Sequence, residues 1–162
     1  MNSITLLHLA NLLFAGVLAG TEFAIHYGVS TSFAALEDES LLKFRKTLIL
    51  RLRILVPTLF LPLVLTGIFI AILDGVSGGF LSVGFLFRCA GLASLFLWMA
   101  GRVVGTVPIN KATLNWGPGT TPKDWRALID RAERFHVVGV WATIMAFVLF
   151  LAAAALPPQV LR

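Results

Sequence analysis

The stretch AGTEFAIHYG, residues 19–28, holds Glu22 and His26 four positions apart. On a helix that spacing puts both side chains on one face, one turn from each other. They close a long apolar run, and an ionisable group inside a membrane segment is a functional candidate by default. Arg102, Asn110 and His136 also stand at the ends of apolar runs. Glu22, His26 and His136 together are two histidines and one carboxylate. That set holds non-haem iron(II) with positions open for oxygen and substrate, and neutral imidazole also suits copper or zinc. Without a metal, the same three residues can act as acid–base groups for proton abstraction. In a third reading they are structural. Glu22 pairs with Arg102 and ties helices together, while the histidines sit in interfacial water. A haem held by His26 and His136 ranks below iron or copper, because such sites usually lie deeper in a bundle. Trp116 and Trp125 flank a polar loop. They are either an interfacial aromatic belt or a wall against a planar, hydrophobic small-molecule substrate.

Composition says where these residues must be held. The chain of 162 residues is 58% hydrophobic and 13% charged, against about 25% charged for soluble domains. Mean hydropathy is +0.90. These values fit a protein of several membrane spans in a lipid bilayer. The net charge of +5 is an orientation signal, because the basic residues flank apolar runs. With no binding motif and no separate basic face, no nucleic-acid partner is expected. Cys89 stands alone, so there is no intrachain disulfide and no cysteine-based zinc spacing. The N-terminal run lacks a basic leader and is long enough to read as a retained span rather than a cleaved signal.

Four segments are long and apolar enough to cross a bilayer: about residues 4–28, 54–73, 83–107 and 137–156. The expected fold is all-α, a single antiparallel four-helix membrane bundle with a polar cap built from the two long connections. DGVSGG, residues 74–79, reads as a tight turn between the second and third spans. Residues 40–53, SLLKFRKTLILRLR, read as a basic amphipathic helix or as an early extension of the second span. NWGPGTTP is a loop. Thr121-Pro122-Lys123-Asp124 reads as a helix start with threonine as cap, and Pro157-Pro158 reads as a stop. Pro57 and Pro62 fall near the start of the second span, where Pro62 can kink it. Gly16 and Gly20 form a small-residue face for close packing. Trp98 and Trp141 are packing residues or lipid-facing anchors.

Antiparallel threading puts the first and third connections on one side. With their flanks they hold Lys43, Arg45, Lys46, Arg51, Arg53, Arg102, Lys111, Lys123, Arg126, Arg131 and Arg134, against Arg88 and Arg162 on the other side. The positive-inside rule then puts both connections in the cytoplasm and both termini outside, as in a bacterial inner-membrane protein. The same threading brings Glu22, His26, Arg102, Asn110 and His136 to the cytoplasmic end of the bundle. His8 lies near the opposite end and joins no motif.

VPINKATLNW and TPKDWRALIDRAERFH, within residues 107–136, resemble the small four-span membrane proteins called anthrone oxygenase-like. Asn110, Leu114, Trp116, Asp124, Trp125, Arg131 and His136 carry the match, and AGTEFAIH resembles the family's other polar motif. The chain departs from the pattern at Ala132, where the family often has tryptophan, and at Gly139, where it often has arginine. The resemblance implies oxidation of an anthrone-like aromatic by molecular oxygen. On that expectation Glu22 or a histidine takes an acidic proton from the substrate, and Arg102 and Asn110 stabilise the oxyanion. Iron or copper is the expected cofactor, or none in the metal-free version. The other class is a non-enzymatic protein that binds a lipid, quinone or haem, or a subunit of a membrane complex. A transporter is disfavoured in a monomer, since no polar stripe crosses the bilayer, although a homo-oligomer would be free to build one.

Overall fold

The computed structural model describes residues 2–156. The proposed stop at Pro157-Pro158, and Arg162, lie outside that range. The described chain is helical, with α1 (Ser3–Phe23), α2 (Asp38–Gly78), α3 (Val83–Gly101), α4 (Val107–Leu114) and α5 (Trp125–Ala155). Among the described residues there is no strand. Four helical stretches are long and apolar enough to cross a membrane, so the chain is an integral membrane protein. α1 packs on α2 and α5, and α3 packs on the same two. The four long helices therefore form a ring with α1 and α3 on one diagonal.

Backbone groups in lipid must be satisfied within the segment, which is why long apolar runs become helices. Asn2 Oδ1 caps α1 by accepting from Thr5 N at 2.8 Å. Ser82 Oγ caps α3 by accepting from Phe85 N at 3.3 Å. The core runs along the ring's axis through Leu18, Leu63, Leu95, Trp98, Ala146 and Phe150. Leucines and valines on the outer faces, such as Leu13, Leu65 and Val104, remain exposed to lipid. Trp98 is 1% exposed and Trp141 is 56% exposed, so the first packs the core and the second faces the bilayer. Mid-bundle, Asn11 Nδ2 donates to Leu63 O at 3.1 Å and to Thr66 Oγ1 at 3.0 Å, a polar brace between α1 and α2.

Residues 40–53 extend the second span, one of the two readings expected, because α2 is continuous for 41 residues and carries Pro57 and Pro62 in its interior. At about 1.5 Å per residue it is about 60 Å long, twice the hydrocarbon core, so one end stands clear of the bilayer. Residues 74–78 are helical rather than turn. The reversal begins at Gly79, whose φ of 88° is the left-handed conformation glycine tolerates. Thr121 does not cap α5. Its hydroxyl donates to Gly117 O at 3.1 Å inside the loop, and α5 begins at Trp125. Residues 108–114, expected in a connection, are helical and continue the third span through Pro108. Of the two glycines expected to pack closely, a Cβ at Gly16 would meet the Phe147 ring at 3.3 Å, while one at Gly20 would meet nothing within 4 Å.

Candidate functional site: a buried histidine–carboxylate cluster

Two π-helical turns prepare the site. Ala24–Val29 continues α1, and Arg102–Thr106 joins α3 to α4. A π turn widens the helix by one residue and turns the following side chains to a new face; such turns are frequent at functional sites. Here they carry His26 and Arg102. Gly105, in the second of them, lies so close to α5 that a Cβ would fall 2.1 Å from Phe135 Cγ. Gly105→Ala is therefore expected to destabilise the protein by about 1–3 kcal/mol. Thermal unfolding in detergent micelles checks this, and in a Phe135→Ala background, which lacks the clashing Cγ, the same change at Gly105 should cost little.

At the centre stands Glu22, 0% exposed. Its Oε1 accepts from Arg102 Nη1 at 2.6 Å, and its Oε2 lies 3.0 Å from His136 Nε2. The Arg102 guanidinium also lies over the Trp98 ring, 5.1 Å from its centroid. Both Glu22 oxygens are thus engaged. The carboxylate grouped with the two histidines is Glu133, in place of the expected Glu22. Glu133 Oε2 is 3.6 Å from His136 Nδ1 and 3.8 Å from His26 Nδ1. Its other oxygen accepts from Arg45 Nη1 at 2.9 Å.

The hydrogen-bond count makes this arrangement informative. Glu133 Oε2 and His26 Nδ1 are buried without a hydrogen-bond partner among the described residues. If His136 Nε2 carries the proton it shares with Glu22, its Nδ1 presents a lone pair to the same space. Three lone-pair atoms then converge, and bare lone pairs repel unless a cation or a proton lies between them. Two ligands at about 2.1 Å from one ion can be up to about 4.2 Å apart, so both measured separations suit a shared ion. The hydrogen bond between His136 and Glu22 is of the kind that, in metal sites, fixes the tautomer and orientation of a histidine ligand.

Asn110 belongs to the same cluster, its Oδ1 accepting from Arg45 Nη2 at 3.3 Å. A cavity of about 40 Å³ lies among Glu22, Arg45, Arg102, Asn110, Glu133 and His136, with Ile25 and Phe33 in its wall. That is room for about one water molecule. Trp116 and Trp125 do not border it. Trp116 is buried, with its carbonyl accepting from Lys46 Nζ, and Trp125 stacks under Arg126. Arg126 also pairs with Asp38, tying the start of α5 to the start of α2.

Sequence reading missed Glu133 and Arg45. Glu133 had a usable signal, because Glu133-Arg134-Phe135-His136 is the Glu-x-x-His spacing with which helix bundles present metal ligands. Arg45 had none, since it lies on an arginine- and lysine-rich stretch where nothing marks one residue as inward. Gly139 is held to glycine by packing: a Cβ there would lie 2.8 Å from Trp98 Cδ1, so the tryptophan fills the space. Ala132 is likewise buried.

Fold and site define an integral membrane four-helix bundle with a buried histidine–carboxylate–arginine cluster at one end. Comparison of the chain with protein-family models, with curated proteins and with solved structures finds no match.

Proposed function

We propose that the chain is a membrane-embedded, oxygenase-type oxidoreductase in which His26, Glu133 and His136 hold one transition-metal ion. The observation that carries this reading is the convergence of His26, Glu133 and His136, with His26 Nδ1 and Glu133 Oε2 buried and without a hydrogen-bond partner among the described residues. Two histidines and a carboxylate suit iron(II) first and copper second, and they leave positions open for other ligands. When bound, the ion would supply activation of molecular oxygen. The resemblance to anthrone oxygenase-like proteins supports a planar, lipid-soluble aromatic substrate, an anthrone or quinol.

The chain's own groups prepare that chemistry. Glu22 orients His136, and Arg45 orients Glu133. Glu22 and Glu133 are balanced in charge by Arg45 and Arg102, so a divalent ion leaves the cluster with two positive charges. In a buried site this favours an anionic ligand such as an ionised anthrone or quinol. Asn110 Nδ2 has no partner among the described residues and can donate to the substrate oxygen. For an anthrone the balance closes with one O₂: the ring methylene loses two hydrogens, one oxygen atom becomes the new carbonyl, and the other leaves as water. The cavity admits only the reacting edge of such a substrate. By the positive-inside rule this end of the bundle faces the cytoplasm and both termini lie outside.

A metal-free version uses the same geometry, with His26 Nδ1 as proton acceptor because both Glu22 oxygens are engaged. Metal analysis and oxygen uptake with anthrone as probe separate the two. Near-stoichiometric iron or copper and anthrone-dependent uptake are expected in the wild type. Both should be lost in folded His26→Ala and His136→Ala. Uptake by a protein that takes up no metal would leave the metal-free version standing, and no uptake under any loading would sink the oxygenase reading.

A further inference from the structure

The end of the bundle opposite Glu22 holds a second buried polar group, in a different setting. Arg88, 1% exposed, pairs through Nε with Asp74 Oδ2 and through Nη2 with His8 Nδ1 at 3.2 Å. Three helices meet there, with His8 on α1, Asp74 on α2 and Arg88 on α3. Arg88 stands five residues inside α3, about 7 Å from its start. Beside the trio is a cavity of about 880 Å³, walled by Leu9, Leu12, Leu73 and Leu151 and bordered by His8, Asp74 and Arg88. Its volume is in the range of small-molecule pockets, and mostly apolar walls with a few convergent polar groups are the usual composition of such sites.

We infer that this cavity is a binding site for a quinone: a neutral ring ketone carried on an apolar tail. The polar end selects the head group. Arg88 and Asp74 cancel in charge, so a fixed anion would meet Asp74 and a fixed cation would meet Arg88, both at low dielectric. The trio therefore favours a neutral head. Its free hydrogen-bonding capacity is two donors and one acceptor, the Asp74 Oδ1 that Arg88 leaves unbonded. Arg88 Nη1 has no partner among the described residues. His8 accepts from Arg88 at Nδ1, so in its neutral form it carries its proton on Nε2. The two donors call for carbonyl oxygens, the Asp74 acceptor suits the ring hydroxyl of the reduced quinol form, and the leucine walls call for a hydrocarbon tail. A phospholipid offers ester carbonyls too, but it brings its phosphate charge close to Asp74. The cavity is independent of the metal site, whose nearest ligand in sequence, His26, lies about 27 Å away at about 1.5 Å per residue.

The test is native mass spectrometry of the full chain released from detergent, titrated with decyl-substituted benzoquinone. Decylbenzene and phosphatidylcholine serve as competitors. One quinone per chain is expected, displaced by neither competitor at equal concentration. The paired change Asp74→Asn with Arg88→Gln removes both charges together and should weaken binding at least about tenfold, the equivalent of about 1.4 kcal/mol. Ala154→Phe, on the cavity wall, should weaken it similarly while leaving the trio intact, and it carries the test if the paired variant does not fold. His136→Ala should bind as the wild type does. Equal retention of decylbenzene or phosphatidylcholine would overturn the inference, since the cavity would then hold any chain. So would binding that survives Ala154→Phe but is lost in His136→Ala, since the quinone would then sit at the other end.

Discussion

Replacing Glu133 with glutamine is expected to weaken metal retention more than any other single carboxylate change, by more than about 100-fold. Glu22→Gln should cost about 10–100-fold, the usual range for an outer-sphere partner of a ligating histidine. The reason lies in what each oxygen touches. Glu133 Oε2 faces both histidine Nδ1 atoms and has no other partner, whereas both Glu22 oxygens are occupied by Arg102 and His136. Glutamine at 133 keeps an acceptor for Arg45 but puts a weak neutral donor in the ion's place. Metal content measured against a graded series of chelator reports the order. If Glu22→Gln empties the site while Glu133→Gln leaves it filled, the ligand set reverts to Glu22, His26 and His136.

Replacing Arg102 with methionine is expected to destabilise the fold by about 3–5 kcal/mol, because it leaves a fully buried carboxylate with its cationic partner removed. The double variant Glu22→Gln with Arg102→Met should recover most of that loss and lie within about 1 kcal/mol of wild type. Glutamine keeps an acceptor for His136 Nε2, and methionine can still cover the Trp98 face that Arg102 covers now. Reversible unfolding in mixed micelles, run on both variants, gives the comparison. A single variant as stable as the double one would mean that Glu22 is not held as a buried charge, and the electrostatic account of the cluster would fail.

The large features of this protein were legible in its sequence for a simple reason. Lipid has no hydrogen bonds to offer a backbone, so a long apolar run is helical, and its length alone says whether it crosses the bilayer. Four such runs, threaded antiparallel, already brought Glu22, His26, Arg102, Asn110 and His136 to one end. Geometry within that end was not legible. Whether Glu22 or Glu133 meets the open side of the histidines depends on how α1 and α5 are rotated about their axes. The π turns at Ala24–Val29 and Arg102–Thr106 shift that rotation without leaving a mark in the hydropathy pattern. The start of the turn between the second and third spans was also misplaced, because Asp74–Gly78 has turn-like composition yet stays helical.

What the sequence by itself determined was the class: an integral membrane protein, all-α, with its polar residues gathered at the ends of four spans. What only the tertiary structure decided was partnership. It set Glu133 beside His26 and His136, withdrew Glu22 behind them, and joined His8, Asp74 and Arg88 from three helices beside a cavity that no motif announces. Burial in lipid is a property of each segment and can be read locally. A contact between side chains belongs to two helices at once, and it is set by packing that neither segment encodes alone.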